Sequence, residues 1–163
     1  MKITLLRHGE AVEMSEWKGT DSDRPLTEKG REKMEEISKS ISRLGWKFDL
    51  VFSSPYQRAK ATAEIVAGEL NIAEPIRVSE AMSCEGDMMD IVKELKELDS
   101  NFERILMVGH EPHLSSLISF LITGETSYSF EMKKGGLCRL ELDSLSEEGR
   151  CARLLALIPP KVL

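Results

Sequence analysis

Four side chains stand out for what they could do together: Arg7, His8, Arg58 and His110. Guanidinium groups suit phosphoryl oxygens because their planar fork donates two parallel, charge-assisted hydrogen bonds. A neutral imidazole can attack phosphorus and hold a phosphoryl group covalently, splitting one hard displacement into two easier ones. A second imidazole can stabilise the same equatorial oxygens. Phosphoryl transfer is mostly positioning and charge stabilisation, so two arginines and two histidines are sufficient equipment without a metal. A lone His or Arg at a strand end is more often a capping or surface residue. These four differ because the predicted elements deliver all of them to strand exits.

Periodicity places those elements. Residues 2–7 read as a short buried strand that runs out at Arg7-His8-Gly9. Residues 10–24 carry Gly, Ser and five carboxylates without apolar periodicity, which marks a loop. Thr27 reads as an N-cap, with Met34, Ile37, Ile41 and Leu44 on one helical face and Gly45 as the stop. Leu50-Val51-Phe52 is a second strand, closed by Ser53-Ser54-Pro55 and followed by a helix over 57–70 that opens next to Arg58. A third short strand falls at Ile76-Arg77-Val78, and Met88, Ile91, Leu95 and Leu98 define another amphipathic helix. The uninterrupted apolar run at 105–108 predicts a strand buried on both faces, ending at Gly109-His110. Pro112 fits the first turn of a helix whose inner face is Leu114, Leu117, Ile118 and Leu121. Cys138, Leu140 and Leu142 alternate with Arg139 and Glu141, the pattern of a half-exposed strand, and a last strand over 151–158 completes a hairpin.

Strands alternating with helices predict an α/β fold of three layers: a mostly parallel mixed sheet with helices on both faces, in a single domain over 1–163. In such folds ligands bind beyond the carboxyl ends of the strands. At 163 residues the chain can bury roughly 70% of the surface it exposes unfolded. Apolar residues at 41% and charged residues at 31% exclude a disordered or collagen-like chain. The apolar runs are far shorter than the ~20 residues a bilayer span needs. Arg7-His8 follows Met1 too closely for a signal-peptide apolar region, so a cytoplasmic protein without membrane contact is expected.

A net charge of −6 argues against nucleic acid as a partner, although a few local arginines can reverse the field inside one pocket. Cys84, Cys138 and Cys151 lack CxxC spacing and point to neither a disulfide framework nor a zinc site. His110 and His113 stand at i, i+3, but a third ligand at helical spacing is absent, so no metal and no cofactor are expected. No apolar stripe beyond the core faces indicates an oligomeric state.

Arg7-His8-Gly9-Glu10 resembles the Arg-His-Gly signature of the histidine phosphatase superfamily, the phosphoglycerate-mutase-like fold. The likeness continues in order through Arg24-Pro25-Leu26-Thr27-Glu28-Lys29-Gly30, Ser53-Ser54-Pro55-Tyr56-Gln57-Arg58-Ala59 and Gly109-His110-Glu111-Pro112. An isolated Arg-His-Gly is a weak signal; four ordered blocks are strong. The resemblance implies that His8 is the nucleophile that becomes phosphorylated, with Arg7, Arg58 and His110 completing the phosphate pocket. The segment 80–87 is most similar to small SixA-type phosphohistidine phosphatases. Larger relatives place a general acid, usually Glu, in this region, and Glu80 matches that position best; a solvated or capping carboxylate is the alternative reading. A phosphoprotein carrying phosphohistidine is the implied substrate, and a small phosphate ester, as in alpha-ribazole-phosphatase-like or broad-specificity relatives, is the rival. A non-catalytic phosphate-binding module is a further alternative, against which the nucleophilic imidazole argues.

Overall fold

The apolar runs of the sequence become the strands. The computed structural model describes residues 1–98, 101–128 and 130–163, with strands β1 (Lys2–Arg7), β2 (Leu50–Ser53), β3 (Arg77–Val78), β4 (Arg104–Gly109), β5 (Leu137–Leu142) and β6 (Ala152–Ile158). The helices are α1 (Glu28–Arg43), α2 (Gln57–Glu69), α3 (Met88–Lys96) and α4 (His113–Thr123). All six strands join one sheet in the order β3-β2-β4-β1-β5-β6. The first four in that order pair in parallel, whereas β5 pairs antiparallel with β1 on one side and with β6 on the other. This is the expected mixed α/β sheet. No helix of the described residues is long and apolar enough to cross a membrane.

Alternation along each strand divides the core. Ile3, Leu5, Phe52, Met107 and Leu140 face one way and pack with Ile91 and Leu95 of α3 and Leu114, Leu117 and Leu121 of α4. Leu6, Val51, Leu106, Val108 and Leu137 face the other way, against Met34, Ile37 and Ile41 of α1 and Ala59, Ala63 and Val66 of α2. Both faces are therefore covered, which is why the central strands read as continuous apolar runs.

Two expectations change. The strand β5 is interior rather than half-exposed: Arg139 is buried with its guanidinium 4.2 Å over the Trp46 ring. A planar, weakly hydrated cation can stack on an aromatic face, so a charge in the pattern did not mean exposure. Pro112 caps α4 instead of lying inside it. The proposed half-exposed edge is found one strand further out, in β6.

Register then aligns the strand exits. Arg7 lies opposite Gly109, and Ser53 lies opposite Val108. Beyond the ladder, the His8 N–H donates to the Gly109 carbonyl at 3.1 Å and the Ser54 N–H to that of Val108 at 3.0 Å. The start of α1 is held just below this edge. The Thr27 side chain accepts from the Gly30 N–H at 2.9 Å, as the sequence predicts. Gly30 is required there by close approach: a Cβ would stand 2.2 Å from the Glu10 carbonyl oxygen.

Gly30→Ala therefore sets two effects against each other. Helix propensity favours Ala by roughly 1 kcal/mol. The backbone clash forces the loop after β1 away from α1, an overpacking cost of about 1–3 kcal/mol. The clash should win, because neither backbone can yield alone, and the urea midpoint should fall. A raised midpoint would show that the loop gives way freely.

Candidate active site

The loop after β1 turns the His8 ring inward, leaving the residue 6% exposed. Its Nδ1 lies 2.7 Å from the Gly9 carbonyl oxygen, which can only accept, so Nδ1 carries the hydrogen. The other nitrogen, Nε2, keeps its lone pair and accepts from Arg58 Nε–H at 3.3 Å. Gly9 is anchored in turn: its N–H donates to Thr62 Oγ1 at 3.1 Å, and that hydroxyl donates to the Arg58 carbonyl on the first turn of α2. The nucleophile-bearing loop and the helix carrying Arg58 are thus pinned to each other.

Arg58 is 3% exposed, and each of its nitrogens has a partner. Besides the His8 contact, Nη1 donates to the Asp21 carbonyl at 2.7 Å and Nη2 to the Asp21 carboxylate at 3.0 Å. The Cys84 sulfur lies 3.8 Å from Nη2, and the Tyr56 ring lies 4.9 Å from the guanidinium carbon. Asp21 also pairs with Arg24 at 2.8 Å. Burial raises the Asp21 pKa, but hydrogen bonds and charge from Arg58 and Arg24 outweigh it and hold the carboxyl below its ordinary value.

His110, 2% exposed, stands with its ring centroid 4.9 Å from that of His8 and 5.1 Å from that of Tyr56. Its Nε2 is 2.7 Å from Ser54 Oγ, and its Nδ1 is buried without a hydrogen-bond partner among the described residues. Arg7 donates from Nη1 to the Met132 carbonyl at 2.7 Å, while its buried Nε has no partner among the described residues. Burial pushes both His8 and His110 down to about 3, opposed at His8 by the Gly9 hydrogen bond and reinforced by Arg58 and Arg7. At His110 the ring of His8 and Arg58 reinforce the burial. Both rings are therefore neutral near pH 7, which leaves His8 Nε2 free to act as a nucleophile.

The quartet expected from sequence thus converges, with His8 at its centre. Glu80 does not join it by contact. It sits exposed on a short turn, Glu80–Met82, with no hydrogen bond to the four among the described residues. Four residues further on, Cys84 reaches Arg58. Asp21, Ser54 and Thr62 were not singled out from sequence. The i, i+3 spacing of Asp21 and Arg24 marks an ion pair but does not point to Arg58. Among the described residues no group of three or more His, Cys, Asp or Glu is arranged to hold a metal. His113 instead hydrogen-bonds the backbone of Ala81.

Residues 3–85 match the family model for the histidine phosphatase superfamily (branch 1). The chain is 28% identical over 141 residues to an uncharacterized protein of Picosynechococcus sp., covering 86% of this chain and 84% of that one. It is 28% identical over 131 residues to the phosphohistidine phosphatase SixA of Escherichia coli, covering 80% of each. Among solved structures, the protein histidine phosphatase SixA complexed with tungstate superposes with a TM-score of 0.87 over 99% of both chains at 23% identity. The alpha-ribazole phosphatase from Shigella flexneri reaches 0.74 over 98% of this chain and 97% of that one, at 19% identity.

The depressed histidines make stability depend on pH. Unfolded, each takes up a proton near 6.5; folded, neither does until about 3. Between those values the unfolded chain binds more protons, so stability falls as pH falls and is level above the window. Each ring contributes a slope of up to roughly 1.4 kcal/mol per pH unit. Urea unfolding at about pH 7 and about pH 5 should show the wild type losing stability and a His8→Gln variant losing less. Equal slopes in the two proteins would mean that His8 is already charged in the fold.

Proposed function

The chain belongs to the histidine phosphatase superfamily, and from that premise we propose a phosphatase that works through a covalent phosphohistidine at His8, with protein phosphohistidine as its substrate. The observation that carries this reading is the His8 geometry: a neutral ring, Nδ1–H tied to Gly9, and the Nε2 lone pair met by Arg58. In the first step Nε2 attacks phosphorus and the substrate's leaving group departs. As Nε2 becomes bonded to phosphorus it can no longer accept from Arg58, so Arg58 Nε–H turns to a phosphoryl oxygen. Arg7 Nε and His110 Nδ1 face the same oxygens. In the second step water attacks phosphorus, His8 regains its lone pair and inorganic phosphate leaves.

Two features favour phosphohistidine over an alkyl phosphate. The segment between Glu80 and Gly109 is spent on a turn, α3 and β4, and α3 packs on the core through Ile91, Val92 and Leu95 rather than over His8. Little chain remains to lid the pocket, which suits a phosphoryl group presented on a protein surface. A phosphoramidate is also labile once its imidazole is protonated, so it demands less of a general acid than an alkyl ester does. Exposed Glu80 is the proposed proton donor where the leaving group needs one. A small phosphate ester remains the second reading, supported by the likeness in fold to an alpha-ribazole phosphatase.

Rapid quench with a labelled phosphodonor should trap an acid-labile phosphoenzyme in the wild type and none in His8→Ala; label retained by His8→Ala would remove His8 from the role. Arg58→Ala should slow turnover about a hundredfold, the cost of losing one donor to the transferring oxygens. A change below about threefold would reject that donor role.

Substrate class is read from a panel of phosphohistidine peptide and alkyl phosphate esters. The phosphohistidine peptide should be preferred, and Glu80→Gln should depress ester turnover more than peptide turnover. An ester preferred over the peptide would select the second reading.

A further inference from the structure

A neutral imidazole has a single N–H, so a phosphate-facing histidine helps or hinders according to which nitrogen bears it. Phosphoryl oxygens only accept. A ring that presents N–H to them stabilises the transferring group, and a ring that presents a lone pair repels it. The surroundings of His110 decide between the two.

Ser54 is wholly buried, and its Oγ makes two contacts: the His110 ring at Nε2, 2.7 Å away, and the Tyr56 backbone N–H at 3.3 Å. The Tyr56 group can only donate. Were His110 Nε2 also to donate, two hydrogens would converge on Oγ, and the Ser54 hydroxyl hydrogen would be buried with no acceptor among the described residues. A buried hydroxyl without an acceptor is costly. In the opposite arrangement Ser54 is fully matched: Tyr56 N–H fills one lone pair of Oγ, and the Ser54 hydroxyl donates to Nε2. The ring hydrogen then sits on Nδ1, the buried atom that has no partner among the described residues.

We infer that Ser54 is a positioning residue that fixes His110 in the Nδ1–H form, so that this hydrogen is donated to the phosphoryl group held beside His8. The inference rests on the reading of His110 as a phosphate ligand given above. Ser54 Oγ touches neither substrate nor the reacting atoms; it acts through the ring. Its position follows from the fold, because the Ser54 N–H continues the β2–β4 ladder at the Val108 carbonyl and so places Oγ one strand away from the exit of β4. It also gives the Ser53-Ser54-Pro55 block a chemical use beyond closing the strand.

Nitrogen-15 spectra of the imidazole rings in the wild-type protein report which nitrogen of His110 carries the hydrogen. Nδ1–H is expected, and Nε2–H overturns the inference. In Ser54→Ala the single Nδ1–H form should give way to a mixture, and kcat/KM for phosphohistidine peptide should fall about tenfold or more, since misplaced tautomers are costly in catalysis. If either quantity is unchanged in a folded Ser54→Ala protein, the inference fails; if that variant does not fold, the wild-type spectrum alone decides. His110→Ala turning over at the wild-type rate would instead reject His110 as a phosphate ligand, and the tautomer result would stand apart from it.

Discussion

Arg58 carries a full positive charge at 3% exposure, and a buried charge must either find partners or neutralise itself. Guanidinium cannot neutralise at any ordinary pH, so the chain around it has to comply. Asp21 is brought back from a polar loop to receive Nη1 and Nη2, and Arg24 steadies Asp21 from the other side. The remaining nitrogen, Nε, donates to His8 Nε2. That contact reinforces the burial of the ring, the larger cause, in keeping the histidine neutral. A protonated Nε2 would lose the hydrogen bond and place two cations together, so the ring stays neutral. The reactivity proposed for His8 thus draws on two burials, that of its own ring and that of Arg58 beside it.

The same constraint reconciles an acidic protein with a site for anions. The net charge of −6 is spread over the surface, whereas Arg7, Arg58 and Lys134 all act on His8. Local arrangement overrides the sum because interactions inside a poorly solvated pocket are screened far less than those between surface charges. Asp21 neutralises part of this field, which lets Arg58 be buried at all, yet its carboxylate is itself occupied by two arginines. The pocket therefore keeps a surplus of positive charge and donors.

Much of this could be read from sequence where a repeating physical demand writes a pattern. Buried parallel strands must be apolar throughout, so 105–108 announced its position, and the exits at His8, Ser54 and His110 followed from it. Thr27 as a cap was legible because few residue types can serve an orphan N–H. The rest depended on choices that leave no period. Five carboxylates lie between residues 10 and 24, and nothing in their spacing alone tells that Asp21 is the one turned toward Arg58. Serine hydroxyls are common, and only the three-dimensional contact gives Ser54 a partner. Arg139 misled because alternation treats every charge as solvated, while a guanidinium stacked on Trp46 can be buried.

What remains unmatched in the site is informative in its own right. Arg7 Nε and His110 Nδ1 are buried polar atoms without partners among the described residues, each costing on the order of 1–3 kcal/mol in the folded chain. A core built for stability alone would have been selected to satisfy them or to replace them with apolar groups. Both belong to the proposed phosphate pocket, and a phosphoryl group offers what both lack, an acceptor oxygen. The strain of under-satisfied donors is therefore held where substrate relieves it, so part of the binding energy is stored in the unliganded fold. The effect is stronger for a transition state, in which negative charge spreads over the equatorial oxygens, than for the resting ester or amidate. On this argument the features that make the edge of the sheet a poor contributor to stability are the ones that fit it to phosphoryl transfer.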